Sequence, residues 1–138
     1  MVQDVAYDDI KIGDSVNFTK TITQADVTLY AGISGDFNPV HMDKTYAETT
    51  RFKKPVVHGM LTAGLISAAV GTGLPGIGTI AISQTLKFMA PVFIDDTITA
   101  TAEVITKDDA KHRVTLHTYC TNQDGVVVLD GESIVLKK

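Results

Sequence analysis

Cysteine is almost absent from the sequence, since Cys120 is the only one among 138 residues. A single cysteine cannot form an internal disulfide, which favours a chain that folds in a reduced compartment. No second cysteine or cluster of histidines offers the spacing of zinc ligands, so we expect no metal. Because no base is placed to activate its thiol, Cys120 is expected to fill part of the core.

Positive charge is also scarce. Twelve Lys and Arg residues stand against sixteen Asp and Glu residues, and the net charge is −4. Such a surface repels phosphate backbones, and no basic run is interleaved with aromatic residues. We therefore expect no nucleic acid among the partners of this chain.

The first five residues, Met1 to Val5, lack the basic and apolar regions of a signal peptide, so a cytoplasmic location is expected. Charged residues are missing between Pro55 and Leu86, but the glycine-rich segment 71–78 interrupts this stretch. The apolar helix expected at 59–70 is only about 18 Å long, whereas a bilayer core is about 30 Å thick. The stretch is therefore predicted to be a buried helix, and no membrane partner is expected.

The apolar pattern predicts one domain over residues 1–138 that contains five strands and three helices. Thr23 and Asp26 have the spacing of a capped helix start, and Ser34-Gly35 is a stop signal. Asp43 is expected to cap a further short helix. Strands are predicted at 16–22, 79–88, 97–107, 112–122 and 126–136, and helices at 24–33, 43–50 and 59–70.

Several finer expectations follow from the same pattern. The first helix is expected to place Ala25, Leu29 and Gly32/Ile33 on one face, and the segment from Asp36 to His41 is expected to be a loop. The separators 95–96, 107–111 and 122–125 have the character of hairpin turns. His112 and His117 have no acidic partner in step on their own strand and are interpreted as ordinary sheet residues.

Strands that follow one another beside segregated helices are typical of the α+β class. A helix that is apolar all round must be enclosed on all sides. The pattern therefore predicts a meander of four to five antiparallel strands that curls around a central apolar helix, which is the hot-dog fold. Such a sheet has exposed edges and one unfilled side, so a homodimer is expected.

The segment with the most specific motif runs from Tyr30 to His41 and contains Gly-Asp-Phe-Asn-Pro-Val-His, with Ala47 after five further residues. It resembles the motif of the R-specific enoyl-CoA hydratases, the MaoC-like dehydratase branch of the hot-dog superfamily. Two more blocks match that family, Pro55 to Leu61 and Leu74 to Asp95. Because three blocks occur in the right order and spacing, the resemblance covers nearly the whole chain.

The resemblance implies the reversible addition of water to trans-2-enoyl-CoA, which gives (R)-3-hydroxyacyl-CoA for β-oxidation or polyester precursors. The reaction needs acid and base groups. Asp36 and His41 lie on a segment bent by Asn38-Pro39, where both side chains can hydrogen-bond to one water. Which of the two is formally the base stays open, because coupled groups share their titration. No cofactor is expected, since hydration involves neither redox change nor group transfer.

The thioester oxygen needs a hydrogen-bond donor, and the backbone N–H of Gly59 at the start of the apolar helix is the candidate. Ser67 is expected to orient Asp36, and Asn38 is expected to hold the segment around it. His58 is interpreted as structural. Gln84 and Lys87 are expected either to contact the phosphates of CoA or to face solvent.

Three other functions stay open at this stage. An acyl-carrier-protein dehydratase runs the same chemistry in the reverse direction, and the sequence does not separate the two thioester carriers. A hot-dog thioesterase usually carries a carboxylate on the central helix, and residues 59–70 contain none. A non-catalytic acyl-CoA-binding dimer would not need the intact pair Asp36 and His41. Acyl-chain length cannot be deduced from the sequence.

Overall fold

The computed structural model describes residues 2–138 and consists of one antiparallel sheet with a helix in its concave face. This is the predicted hot-dog arrangement of the α+β class. A short 3₁₀ turn, Tyr7–Asp9, precedes the first strand. The strands are β1 (Ser15–Thr21), β2 (Ile80–Phe88), β3 (Thr97–Asp108), β4 (Arg113–Thr121) and β5 (Val127–Leu136), and the helices are α1 (Gln24–Ser34), α2 (Pro39–Met42), α3 (Lys44–Thr49) and α4 (Gly59–Thr72).

The strand order is β1-β3-β4-β5-β2, and every pairing is antiparallel. The expectation of a hairpin at Asp95-Asp96 was wrong, because β2 lies at one edge of the sheet and β3 lies next to the opposite edge. The backbone N–H of Asp95 instead donates to Ile22 O (2.8 Å), and that of Ile22 donates to Asp96 O (2.9 Å). Asp95-Asp96 therefore ends a crossing segment that brings the chain back to β1.

Alternating side chains of the sheet form the core. In β3 up to Val104, and throughout β4, every second residue is buried, among them Ile98, Val104, Val114 and Leu116. α4 packs against β1, β3 and β4 through Leu65, Ile66, Ala69 and Val70. Burying the side chains of Leu65, Ile66 and Val70 contributes about 1.5–3 kcal/mol each to the stability of this contact.

The opposite face of α4 is not enclosed within a single chain. Met60, Gly64, Ser67 and Gly71 lie on this face and are exposed. The expectation of a fully enclosed helix is therefore not met by one copy. No helix of residues 2–138 is long and apolar enough to cross a membrane.

α1 begins with the predicted capping box, since Thr23 Oγ1 accepts from Asp26 N (3.1 Å) and Asp26 Oδ2 accepts from Thr23 N (2.8 Å). Its buried residues are Val27 and Ala31, whereas Leu29 and Ile33 are 66% and 83% exposed. The predicted face with Leu29 and Ile33 is therefore not the face that packs on the core, because the helix turns Val27 and Ala31 inward.

The segment between α1 and α3 carries the motif from Gly35 to His41. α1 ends at Gly35, which adopts a left-handed conformation with φ 79° that glycine enters without strain. The predicted loop from Asp36 to His41 is partly helical, because Pro39 starts α2 and His41 lies on it. α3 begins at the predicted cap, where Asp43 Oδ1 accepts from Tyr46 N (3.0 Å).

Candidate active site

A cavity of about 510 Å³ lies where α4 begins, between α2, the segment that joins α3 to α4, and the segment after β2. Its walls are mainly apolar and include Val57, Phe88, Val92 and Leu129. A few polar groups converge in this apolar surrounding, which is the usual make-up of a small-molecule site. The polar or charged side chains on its wall are Asp36, His41, Arg51, His58 and Thr62.

Asp36 and His41 face each other in this cavity, and His41 Nε2 is 3.9 Å from Asp36 Oδ2. The Asp36 side chain is 50% exposed, and that of His41 is 13% exposed. The gap is too long for a direct hydrogen bond, but one water at about 2.8 Å from each atom fits between them. The two side chains can therefore hold a water jointly.

Local hydrogen bonds determine how the side chains of Asp36 and His41 are oriented. Asn38 caps α2, because its Oδ1 accepts from Val40 N (3.2 Å), and its own backbone N–H donates to Asp36 Oδ1 (3.1 Å). His41 Nδ1 is 2.7 Å from Val56 O. A carbonyl oxygen only accepts, so Nδ1 must carry the hydrogen. In neutral His41, Nε2 then has a free lone pair directed to the side of Asp36.

Gly59 is the first residue of α4 and lines the same cavity. Within residues 2–138 no acceptor takes its backbone N–H, and the side chain of the preceding residue does not cap the helix. A free N–H at the positive end of a helix of 14 residues stabilises negative charge nearby. A Cβ at Gly59 would lie 2.6 Å from Phe88 Cε1, so glycine keeps this approach open.

The structure does not bring Ser67 to Asp36. Ser67 lines a second cavity of about 440 Å³ on the other side of α4, and no hydrogen bond within residues 2–138 joins the two residues. Eight residues of helix separate Ser67 from Gly59, which corresponds to about 12 Å along the axis. The predicted orienting role of Ser67 is therefore wrong for the single chain.

The structure also does not support Gln84 and Lys87 as contacts of CoA at this site. Gln84 lines the second cavity, where its Nε2 donates to Thr118 Oγ1 (3.1 Å) and its Oε1 accepts from Ser133 Oγ. Lys87 has the opposite parity on β2 and lies on the outer face of the sheet, in register with Asp130. Strand alternation explains both results.

Sequence reasoning missed part of the cavity wall. His58 was interpreted as structural, and it is 2% exposed with its ring stacked on that of His41 at a centroid distance of 4.0 Å, but its place on the cavity wall was not predicted. Its place beside Gly59 was the one available signal. Arg51 and Thr62 had no recognisable motif, because they reach the wall only through the fold.

Histidines and the cysteine elsewhere give two further outcomes. His117 lies on β4 as predicted, and it has an acidic partner that was not predicted, since its Nε2 is 2.7 Å from Asp130 Oδ1 on the neighbouring strand. A partner across the sheet is invisible to a pattern within one strand. Cys120 is fully buried as predicted, and burial raises the pKa of its thiol to about 12.

Among residues 2–138, one group of side chains has donor atoms close enough to share a metal ion. Asp36, His41 and His58 each offer one such atom, all within 4.8 Å of one another. The free atoms are His41 Nε2, His58 Nδ1 and a carboxylate oxygen of Asp36, since the other ring nitrogens bind backbone carbonyls. The same three groups lie together on one side of the cavity.

Comparison with known proteins shows which family the chain belongs to. Residues 9–124 match the model of the family described as the MaoC like domain. The chain belongs to the MaoC-like family. It is 50% identical over 130 residues to the (R)-specific enoyl-CoA hydratase of Rhodospirillum rubrum, a match that covers 94% of this chain and 90% of that protein.

Further members of the MaoC-like family are similar over nearly their full length. The (R)-specific enoyl-CoA hydratase of Aeromonas caviae is 40% identical over 126 residues, which is 91% of this chain and 94% of that protein. The solved structure of the R-hydratase PhaJ1 from Pseudomonas aeruginosa superposes with a TM-score of 0.94 at 44% identity. That match covers 99% of this chain and 87% of the other.

Proposed function

We propose that this MaoC-like chain is an (R)-specific 2-enoyl-CoA hydratase that adds water reversibly to trans-2-enoyl-CoA. Two curated relatives that match over 90% or more of their own lengths bear the name (R)-specific enoyl-CoA hydratase. The observation that carries the proposal is the convergence of Asp36, His41 and the free N–H of Gly59 on one apolar cavity.

The geometry suits the two halves of the reaction. A water held between Asp36 and His41 forms a bond to Cβ through its oxygen and passes one proton to the pair. A proton held by the pair then moves to Cα, so that the elements of one water molecule are added in all. Such a positioned acid/base pair typically contributes about 10²–10⁴-fold in rate.

Charge that develops on the thioester oxygen during this addition has a partner in the Gly59 N–H. The donor is fixed by α4 before the substrate arrives, so no reorganisation is needed as the charge forms. In a cavity that excludes water, one such donor is commonly worth about 3–4 kcal/mol of barrier. The apolar walls around Val57, Phe88 and Leu129 suit the acyl chain.

Arg51 replaces Gln84 and Lys87 in our proposal as the contact for the phosphates of CoA. Its guanidinium lies 4.9 Å from the centroid of the Phe52 ring, and both residues line the cavity. Arg51 has no carboxylate within 4.0 Å among the described residues, and Lys53 and Lys54 follow it in the chain. This local positive charge on an acidic protein favours an anionic carrier.

We also propose a homodimer. The edge strand β2 leaves Ile80 and Ile82 exposed, and the uncovered face of α4 borders the second cavity. Unpaired strand edges and apolar surface of this kind are usually covered in the native assembly. A second copy that covers this side would also enclose α4 as its composition requires.

The function is tested by following the loss of the conjugated enoyl absorbance with crotonyl-CoA as substrate. Coupling the product to an R-specific and, separately, to an S-specific 3-hydroxyacyl-CoA dehydrogenase reports the stereochemistry. We expect turnover with signal from the R-specific coupling enzyme alone. Release of free thiol without hydration would indicate a thioesterase, and a higher kcat/KM with acyl carrier protein thioesters would indicate the carrier-protein dehydratase.

A further inference from the structure

His58 is a buried polar residue that the proposed mechanism does not use. It precedes α4 as its N-cap residue, but its side chain makes no capping hydrogen bond. Instead, its Nε2 is 2.9 Å from the backbone carbonyl oxygen of Asp36, 22 positions earlier in the chain. Because a carbonyl oxygen only accepts, Nε2 carries the hydrogen and donates it to Asp36.

Among the residues that the structure describes, this hydrogen bond is the only one that ties Asp36 to another part of the fold. Within residues 2–138, the other hydrogen bonds of Asp36 are local: its backbone N–H donates to Ser34 Oγ, and its Oδ1 accepts from the backbone N–H of Asn38. Asp36 is half exposed and follows a left-handed Gly35, so local contacts alone leave its position weakly determined. His58 connects that segment to the start of α4.

The imidazole ring of His58 also contacts the other member of the pair. It stacks on His41 with ring centroids 4.0 Å apart and an interplanar angle of 30°, and Tyr30 packs against it at 4.8 Å. His58 is followed in the chain by Gly59. His58 thus contacts Asp36 and His41 through its buried side chain and is joined by a peptide bond to Gly59, the proposed oxyanion donor.

We propose that His58 is a positioning residue that maintains the spacing between Asp36 and His41 and their alignment with the Gly59 N–H. This inference rests on the proposed hydratase function, because its effect is measured as turnover. His58 acts through Asp36 and does not need to touch the substrate. Misplacement of a catalytic group by about 1 Å can cost about 10²-fold in rate, so the effect is measurable.

Substitution of His58 by Gln or by Asn distinguishes this positioning role from a general packing role. The amide nitrogen of Gln is three bonds from Cβ, as is Nε2 of histidine, whereas that of Asn is two bonds away. His58→Gln therefore keeps a donor for the Asp36 carbonyl, and His58→Asn does not. His58→Phe keeps an aromatic ring of similar bulk but leaves that carbonyl without its partner.

We expect His58→Asn and His58→Phe to lower kcat with crotonyl-CoA by about 10–100-fold, with KM within about twofold of wild type. His58→Gln should recover most of the loss. The inference would be overturned by a wild-type kcat in either the Asn or the Phe variant. It would also be overturned by a Gln variant whose kcat is no higher than that of the Asn variant, when both unfold cooperatively near the wild-type temperature. An inactive wild type would instead overturn the proposed function.

A double-mutant cycle measures the coupling between the effects of His58 and Asp36 substitutions on kcat, which a purely structural role of His58 would not produce. If His58 acts through Asp36, adding His58→Phe to Asp36→Asn should lower the residual kcat by less than about threefold. If the two losses multiply fully, His58 does not act through Asp36 and the inference fails.

Discussion

At the scale of single residues, the site depends on which atoms carry hydrogens. The bond from His41 Nδ1 to Val56 O leaves Nε2 as the atom that meets a water, and Asp36 accepts from the other side. Neither constraint is visible in the spacing of the motif, because Val56 lies 15 residues further along the chain. The spacing predicted that Asp36 and His41 lie close together, whereas the fold determines which ring nitrogen of His41 carries the hydrogen and how the two side chains are oriented.

Arg51 provides a residue-scale prediction about the substrate carrier. Arg51→Ala should raise KM for crotonyl-CoA by about 5–30-fold, because a hydrogen bond to a charged group is worth about 1–2 kcal/mol net. KM for the N-acetylcysteamine thioester, which lacks phosphates, should stay within about twofold. Steady-state kinetics with both substrates measure this difference.

Lys111→Ala, in the exposed turn between β3 and β4, serves as the matched control for loss of one positive charge. Its KM for both substrates should equal that of wild type. An equal rise in KM for the two substrates in Arg51→Ala would contradict a phosphate contact and indicate a general effect on the cavity.

At the scale of elements, strand and helix positions were predictable within a few residues, because alternation and capping are local signals. Thr23 and Asp26 marked the start of α1, and Asp43 marked that of α3. Strand partners were not predictable, since β2 pairs with β5 over more than 40 residues of sequence. The sequence left Gln84 and Lys87 open between a CoA contact and a solvent-facing position for the same reason, because a site contact depends on which face a strand turns inward.

Gly59 tests the role of the start of α4. Gly59→Ala keeps the backbone N–H but places a Cβ 2.6 Å from Phe88 Cε1, so the ring must move in the cavity. We expect kcat/KM to fall about 10–100-fold, since small displacements of a positioned donor are costly. Steady-state hydration of crotonyl-CoA measures this loss.

Gly32→Ala is the control for this substitution, because a Cβ at that helical position meets nothing within 4 Å. It should leave kcat/KM unchanged and stabilise the fold by about 0.5–1 kcal/mol. If Gly59→Ala is as active as Gly32→Ala, close approach at the start of α4 is not needed.

The capping box of α1 makes a prediction about pH. The backbone N–H of Thr23 and the Lys20 ammonium, 3.0 Å away, hold the pKa of Asp26 below its ordinary value of 3.8. Because the pKa of Asp26 is lower in the folded state, its carboxylate stabilises the fold at pH values above 3.8. This contribution is lost as the pH falls through the lowered pKa. Asp26→Asn should therefore reduce the free energy of unfolding at neutral pH by about 0.3–1 kcal/mol.

Urea unfolding at a series of pH values checks this sign. The difference between wild type and Asp26→Asn should narrow as the pH falls below 3.8. Asp124→Asn, in the exposed turn before β5, should show little difference at any pH. A constant gap for Asp26→Asn from neutral to acid pH would mean that its charge does not stabilise α1.

At the scale of the whole molecule, a single chain leaves part of its apolar surface uncovered. The sequence predicted an enclosed α4, and the fold shows that one copy covers only the side that packs on the sheet. The uncovered face of α4 lies beside β2 and the second cavity. Composition could indicate that a cover is needed, but only the fold shows where it must lie.

The dimer is tested by light scattering coupled to size-exclusion chromatography. We expect a mass of twice 14.8 kDa at micromolar concentration. Ile82→Lys on the β2 edge should shift the mass toward the single chain, whereas Ile12→Lys, which replaces an exposed isoleucine outside β2, should not. A wild-type mass of 14.8 kDa would contradict the proposed assembly.

The central claim is that Asp36 and His41 act together on one water, and the kcat of crotonyl-CoA hydration by Asp36→Asn and His41→Asn tests it most directly. Each variant should lose about 10²–10⁴-fold in kcat while it unfolds at a temperature close to that of wild type. The double variant should lose little more than either single variant, because the two residues act as a unit. Turnover at the wild-type rate in either single variant would contradict the account.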